Sequence, residues 1–112
     1  MKSSVDGTLA ALADPTRRGV VDLLRERPYR ASEIADAMAT SRPAMSRHLR
    51  VLRKTGLVEE RELPEDARVR VYQLRQKPFT ELRSWVEEVE AFWTDQLQAF
   101  KAHAEQRRPR RP

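Results

Sequence analysis

The stretch Ser41-Arg42-Pro43-Ala44-Met45-Ser46-Arg47-His48-Leu49-Arg50-Val51-Leu52-Arg53-Lys54 reads as one helix with two incompatible faces. Met45, Leu49 and Leu52 recur at helical spacing, flanked by Val51 and His48, so that side has to pack against something. The other side is basic. Pro43, Ser46, Arg47, Arg50 and Lys54 point away from the apolar stripe, with Arg42 and Arg53 at its margins. Ser41 is placed to cap the helix, and Pro43 falls in the first turn, where a missing N–H costs nothing. Five Lys and Arg with no Asp or Glu make a face suited to a polyanion. A face meant only for water mixes its charges to gain i,i+4 pairs, as the later helix of this chain does.

Working outward, Ala31 to Met38 is a short helix with Ile34, Ala35 and Met38 inward, joined to the basic helix by Ala39-Thr40-Ser41. Two short helices joined by a few residues, the second one basic, form a helix-turn-helix. Lys54-Thr55-Gly56 ends the second helix on a C-cap glycine. Leu57 to Leu63 and Arg68 to Arg75 then read as two strands, turned at Pro64-Glu65-Asp66-Ala67. Tyr72 and Leu74 share one face and Val69 and Val71 the other, and alternation leaves open which set is buried. Arg61, Arg68 and Arg70 suit a wing lying along a DNA backbone, while Glu59, Glu60, Glu62, Glu65 and Asp66 dilute its charge. A merely structural hairpin is the alternative. Arg68 is favoured for a contact because it opens the return strand.

Met1 to Gly7 reads as a loose lead-in to a short apolar helix, Thr8 to Ala13. Asp14 is placed to cap the next helix and Pro15 to start it. Val20, Val21, Leu23 and Leu24 give that helix, Thr16 to Glu26, a broad apolar face. Gly19 lowers its propensity by about 1 kcal/mol and marks close packing. Ser32 is available to cap the helix that follows if Arg30 does not.

Lys77-Pro78 interrupts the pattern, and Phe79 to about His103 forms one long amphipathic helix. Leu82, Trp85, Val86, Val89, Phe92, Trp93, Leu97 and Phe100 are spaced by threes and fours along it. A small domain has little room to cover so wide a stripe, so part closes the monomer's core and part meets a second copy. The expected interface residues are Leu9, Leu12, Trp85, Val89, Phe92, Trp93, Leu97 and Phe100. Residues 1–104 are expected to be one domain, mainly α with a small β-hairpin. Residues 105–112 are expected to be a disordered basic tail, either solubilising or adding sequence-independent affinity for phosphates.

Lys and Arg number 22 against 17 Asp and Glu, a net charge of +5. The basic charge is concentrated on the Ser41 to Lys54 stretch and the tail, while several acids cluster between Glu81 and Asp95. The absence of cysteine excludes disulfides, thiolate metal sites and a cysteine nucleophile. With two histidines far apart in sequence and no glycine-rich phosphate loop, no enzyme is expected. No run approaches the roughly 20 apolar residues of a membrane span, so a cytoplasmic protein without a membrane partner is expected.

Four motifs together resemble the ArsR/SmtB family of winged helix-turn-helix repressors. They are Leu12-Ala13-Asp14-Pro15-Thr16-Arg17-Arg18, Ser41 to Leu52, Gly56-Leu57-Val58 and Val71-Tyr72-Gln73-Leu74. The resemblance implies five helices with a two-stranded wing, and a homodimer built from the first and last helices. It also implies two recognition helices presented to a palindromic operator in double-stranded DNA, and repression, often of the protein's own operon. On that reading Arg42, Pro43, Ser46 and Arg47 meet base edges, and Ser41, Arg50, Lys54, Arg61, Arg68 and Arg70 meet the backbone.

The family's metal sensors carry a cysteine pair where this chain has Ser32-Glu33-Ile34-Ala35-Asp36, or an Asp/His set on the last helix, where it has only His103. Neither a metal nor any other cofactor is therefore expected, and the inducer is left unidentified. The alternative function is a protein-interaction module that uses the aromatic C-terminal helix, with DNA binding lost or secondary. Family members often have glycine where Ala39 stands, and alanine at positive φ is strained. A turn built differently is thus one expectation.

Overall fold

Caps and helix breakers set most of the element boundaries in the computed structural model, which describes residues 4–106. The order is α1 (Ser4–Leu12), α2 (Pro15–Leu24), α3 (Ala31–Ala37), α4 (Arg42–Lys54), β1 (Val58–Leu63), β2 (Asp66–Leu74) and α5 (Gln76–Gln106). The five helices and the hairpin are those expected. The chain divides into two compact units, one reaching Leu82 and one starting at Arg83.

In the first unit, Ala11, Val20, Leu24, Ile34, Met45, Leu49, Leu52 and Leu57 are buried in one core. The α4 stripe of Met45, Leu49 and Leu52 is its centre, and it is what pins the basic face outward. Val51 is exposed rather than packed, because the stripe is narrower than a flanking position reaches. Gly19 is where α2 meets α3: a Cβ there would lie 2.4 Å from Cε of Met38. The close packing expected of that glycine is present.

Several boundaries differ from the sequence reading. Ser4 to Gly7 is helical, not a loose lead-in, with Thr8 fully buried and its hydroxyl donating to the Ser4 carbonyl at 3.0 Å. Pro78 does not break α5 but sits in its first turn, where its nitrogen has no helical partner to lose. At the other end α5 runs to Gln106, so Glu105 and Gln106 of the expected tail are helical. The rest of that tail lies outside the described residues.

The α3–α4 turn is built in the usual way despite its alanine. Ala39 has φ of +51°, with its N–H donating to Asp36 at 3.2 Å and the Thr40 N–H donating to Ala35 at 3.0 Å. That pattern is a Schellman cap with alanine in the glycine position. Ser32 does not take over the capping of α3; Arg30 is the N-cap residue, and the Glu33 carboxylate accepts its N–H at 2.9 Å. Ala39→Gly is therefore expected to stabilise the chain by about 1 kcal/mol, seen as a higher urea midpoint at unchanged slope.

Asp14 caps α2, its Oδ1 accepting the Arg17 N–H at 3.1 Å, and this bond holds its carboxyl below the usual carboxylate range. A lowered pKa means that the unfolded chain binds the proton more readily. The stability contributed is present above the unfolded pKa and is lost as pH falls through the folded one. Asp14→Asn keeps a capping acceptor without titrating, so its urea midpoint should fall less than the wild type's between about pH 5 and about pH 3.

The hairpin pairs Val58 with Leu74, Glu60 with Tyr72 and Arg61 with Val71, and Pro64 and Glu65 alone connect the strands. Ala67, Arg68 and Val69 bulge out between the Glu62–Arg70 and Leu63–Asp66 pairs. The face carrying Val58, Tyr72 and Leu74 packs on the core, while Val71 is buried on the opposite face. Tyr29 adds a bridge that the sequence did not reveal, exchanging backbone hydrogen bonds with Tyr72 at 3.2 and 2.8 Å.

In the second unit, residues 83–106 continue α5 as a helix whose apolar stripe is uncovered. Phe92, Trp93, Leu97 and Phe100 are 57%, 60%, 64% and 73% exposed, and Phe92 and Trp93 meet edge to face at 6.1 Å. No described helix is long and apolar enough to cross a membrane.

Candidate nucleic-acid interface

Helix α4 supplies the candidate surface. Ser41 adopts an extended conformation and its Oγ accepts the Ala44 N–H at 3.3 Å, so the helix starts sharply at Arg42 with Pro43 next. No acid lies in the first turn. A cation at a helix N-terminus opposes the macrodipole, so Arg42 is not there for the stability of the helix. Arg42, Pro43, Ser46, Arg47, Arg50 and Lys54 are all exposed.

Their lack of partners separates Arg42, Arg47 and Arg50 of α4 from the other described arginines. Among the described residues, Arg42, Arg47 and Arg50 are the arginines whose side chains make no hydrogen bond, ion pair or ring contact, and Lys54 is equally unpaired. Every other described arginine is engaged. Arg53, one residue from Lys54, reaches Glu60 at 3.1 Å and so ties α4 to β1. Three unpaired arginines and a lysine on one exposed face give a positive field with nothing inside the described chain to neutralise it.

The hairpin behaves differently. Arg68 donates from its backbone N–H, Nε and Nη2 to Asp66 at 3.0 to 3.3 Å. Asp66 is held below the usual carboxylate range by those bonds, the side-chain one first. Arg70 pairs with Glu62 at 3.7 Å, and Arg61 donates to Gln73 at 3.1 Å. All three arginines named from the sequence are thus exposed and yet internally satisfied.

Beneath the first turn of α4, Arg42 and Ser46 line a cleft of about 220 Å³ with Ala31, Ser32, Met45, Leu49 and Tyr72. Of the residues expected at an interface between copies, Leu9 is exposed on α1, while Leu12 is half-buried against the core. Trp85 and Val89 are exposed on α5 along with Phe92, Trp93, Leu97 and Phe100. Among the described residues, no three His, Asp or Glu side chains converge as a metal would require.

Comparison with known proteins agrees with this arrangement. The profile of the arsR family of bacterial regulatory proteins matches residues 14–60, from the α2 cap to the middle of β1. The chain is 40% identical over 97 residues to the HTH-type transcriptional regulator Rv2034 of Mycobacterium tuberculosis, covering 87% of this chain and 85% of that one. It is 32% identical over 56 residues to the transcriptional repressor SdpR of Bacillus subtilis, covering 50% of this chain and 62% of the repressor. An ArsR-like transcriptional regulator from Rhodococcus sp. RHA1 superposes with a TM-score of 0.80 at 28% identity, over 94% of each chain. The family consists of DNA-binding transcriptional regulators rather than enzymes. The unpaired basic helix, the hairpin after it and these likenesses make the chain a member of the ArsR family, with a winged helix-turn-helix fold.

Proposed function

We propose that the chain acts in the cytoplasm as a homodimeric repressor that places α4 of each protomer in successive major grooves of a palindromic operator. The observation that carries this reading is the set of unpaired cations on α4. Arg42 and Arg47 are suited to bridge guanine O6 and N7, Ser46 to either kind of base, and Pro43 to a thymine methyl. Ser41, Arg50 and Lys54 take phosphates. Arg61, Arg68 and Arg70 of the wing also reach the backbone, but two of them first exchange a carboxylate for a phosphate, which leaves them a smaller net contribution than α4's.

The exposed stripe of α5 meets the second copy, and Leu9, exposed on α1, is also available to it. Two-fold symmetry then sets half-sites about 34 Å apart, one turn of the duplex, or a multiple of that. Occlusion of a promoter by such a dimer is the route to repression, including that of its own gene, and the relative named as a repressor supports it.

Selection of bound fragments from the source genome tests the reading. An enriched palindrome with half-sites at that spacing is the expected result. No enrichment at low salt would contradict it and favour a protein-interaction module working through α5.

A further inference from the structure

The Asp14 to Arg18 corner makes no contribution to the interface just described, yet its two arginines hold the end of another helix. Arg18 Nη1 donates to the Leu12 carbonyl at 2.7 Å. Arg17 Nε donates to Ala11 at 2.7 Å and its Nη2 donates to Ala10 at 3.3 Å. Together they satisfy the Ala11 and Leu12 carbonyls, which the C-terminus of α1 leaves without helical partners, and add a second donor to the Ala10 carbonyl, which already accepts the Ala13 N–H at 3.3 Å. The remaining Arg17 nitrogen, Nη1, lies 3.5 Å from Nδ1 of His48, on the flank of α4 and next to Arg47. A guanidinium only donates, so a hydrogen bond between them requires Nδ1 to be the acceptor. The backbone N–H of Arg17 is in turn held by Asp14. One planar, multi-donor side chain thus joins the end of α1, the start of α2 and the side of α4.

We infer that Arg17 is a positioning residue for DNA recognition: through His48 it fixes the rotation of α4 about its own axis, and so the direction in which Arg47 and Arg50 point. The inference rests on the DNA-binding role of α4 proposed above. Met45, Leu49 and Leu52 hold α4 down along a nearly straight line, and apolar contact along a line resists lifting more than rolling. His48 lies off that line, where a directional polar contact opposes the roll. Base readout by a bidentate arginine is directional and depends on that angle. A lysine at position 17 keeps the charge but cannot reach acceptors on two helices at once.

A mutant cycle on the full chain, read by anisotropy on the selected DNA and by thermal unfolding, tests this. The variants are Arg17→Lys, His48→Leu, His48→Asn and the Arg17→Lys/His48→Leu double. Arg17→Lys and His48→Leu are each expected to weaken binding about five- to tenfold, with the double no weaker than the weaker single. His48→Asn, whose Oδ1 replaces the acceptor, should stay within about twofold of wild type. Affinity should not follow thermal stability across the set. Losses that multiply in the double, an asparagine variant as weak as the leucine one, or affinity that tracks melting temperature would each overturn the inference while leaving DNA binding intact. A wild-type chain that binds no DNA at all would overturn the functional reading, and this inference with it.

Discussion

Arg47→Ala is expected to lower affinity for the selected operator by about 1–3 kcal/mol, a factor of roughly 5 to 150, and to relax base preference at one position of each half-site. The side chain is exposed on α4 opposite the buried stripe and has no intramolecular partner, so its removal leaves no orphaned group in the free protein. Chain stability should therefore be unchanged within about 0.5 kcal/mol, as for an ordinary surface position. Arg53→Ala provides the contrast. It sits on the same helix but is spent on Glu60, so its loss should loosen the α4–β1 junction without changing base preference. Competition anisotropy with single-base operator variants reads both effects. If Arg47→Ala binds the operator and its variants as the wild type does, α4 does not read bases through that residue.

A Phe92→Asp/Trp93→Asp double variant is expected to abolish the proposed dimer at micromolar concentration. Large aromatic anchors are each worth roughly 2 kcal/mol or more at an interface, and two-fold symmetry counts every change twice. With both rings more than half exposed, the substitutions remove little buried area from the protomer itself. Sedimentation should show a monomer that still unfolds cooperatively. Operator affinity should fall with it, because two linked recognition helices bind with an avidity that one lacks. A variant that still sediments as a dimer would move the interface away from the aromatic stripe.

The α4 helix was legible because everything about it is local: Ser41 caps it, Gly56 ends it at φ of +81°, and its apolar and basic residues segregate at helical spacing. Ala39 shows how tertiary packing overrides a local preference. The buried Ile34 and Met45 on either side of the turn fix the path between α3 and α4, and the alanine accepts a left-handed conformation to follow it. The start of α5 was misplaced because proline is read as a breaker wherever it stands, although in a first turn it breaks nothing.

The hairpin arginines illustrate a harder limit. Acids surround Arg68 and Arg70 in the sequence, as none surround Arg47, but the sequence does not say which acid meets which arginine. Their neutralisation depends on a register and a bulge that place Asp66 and Glu62 beside them, and alternation alone does not specify either. The Arg17–His48 contact is harder still, since 31 residues separate its partners. Its only trace in the sequence was the Asp14-Pro15-Thr16-Arg17-Arg18 motif, which reads locally as no more than a helix start.

The salt dependence of DNA binding tests the central claim, that the unpaired face of α4 is the DNA-binding surface, most directly. Arg50→Ala/Lys54→Ala removes two unpaired charges from that face, and Arg25→Ala/Arg83→Ala removes two that are ion-paired elsewhere, to Asp22 and Glu87. For every phosphate left without its cation, the slope of log affinity against log salt should become shallower by about 0.9. The first variant is expected to show that change together with weaker binding to every sequence, and the second to keep the wild-type slope. Equal slopes for the two charge-matched variants would contradict the account.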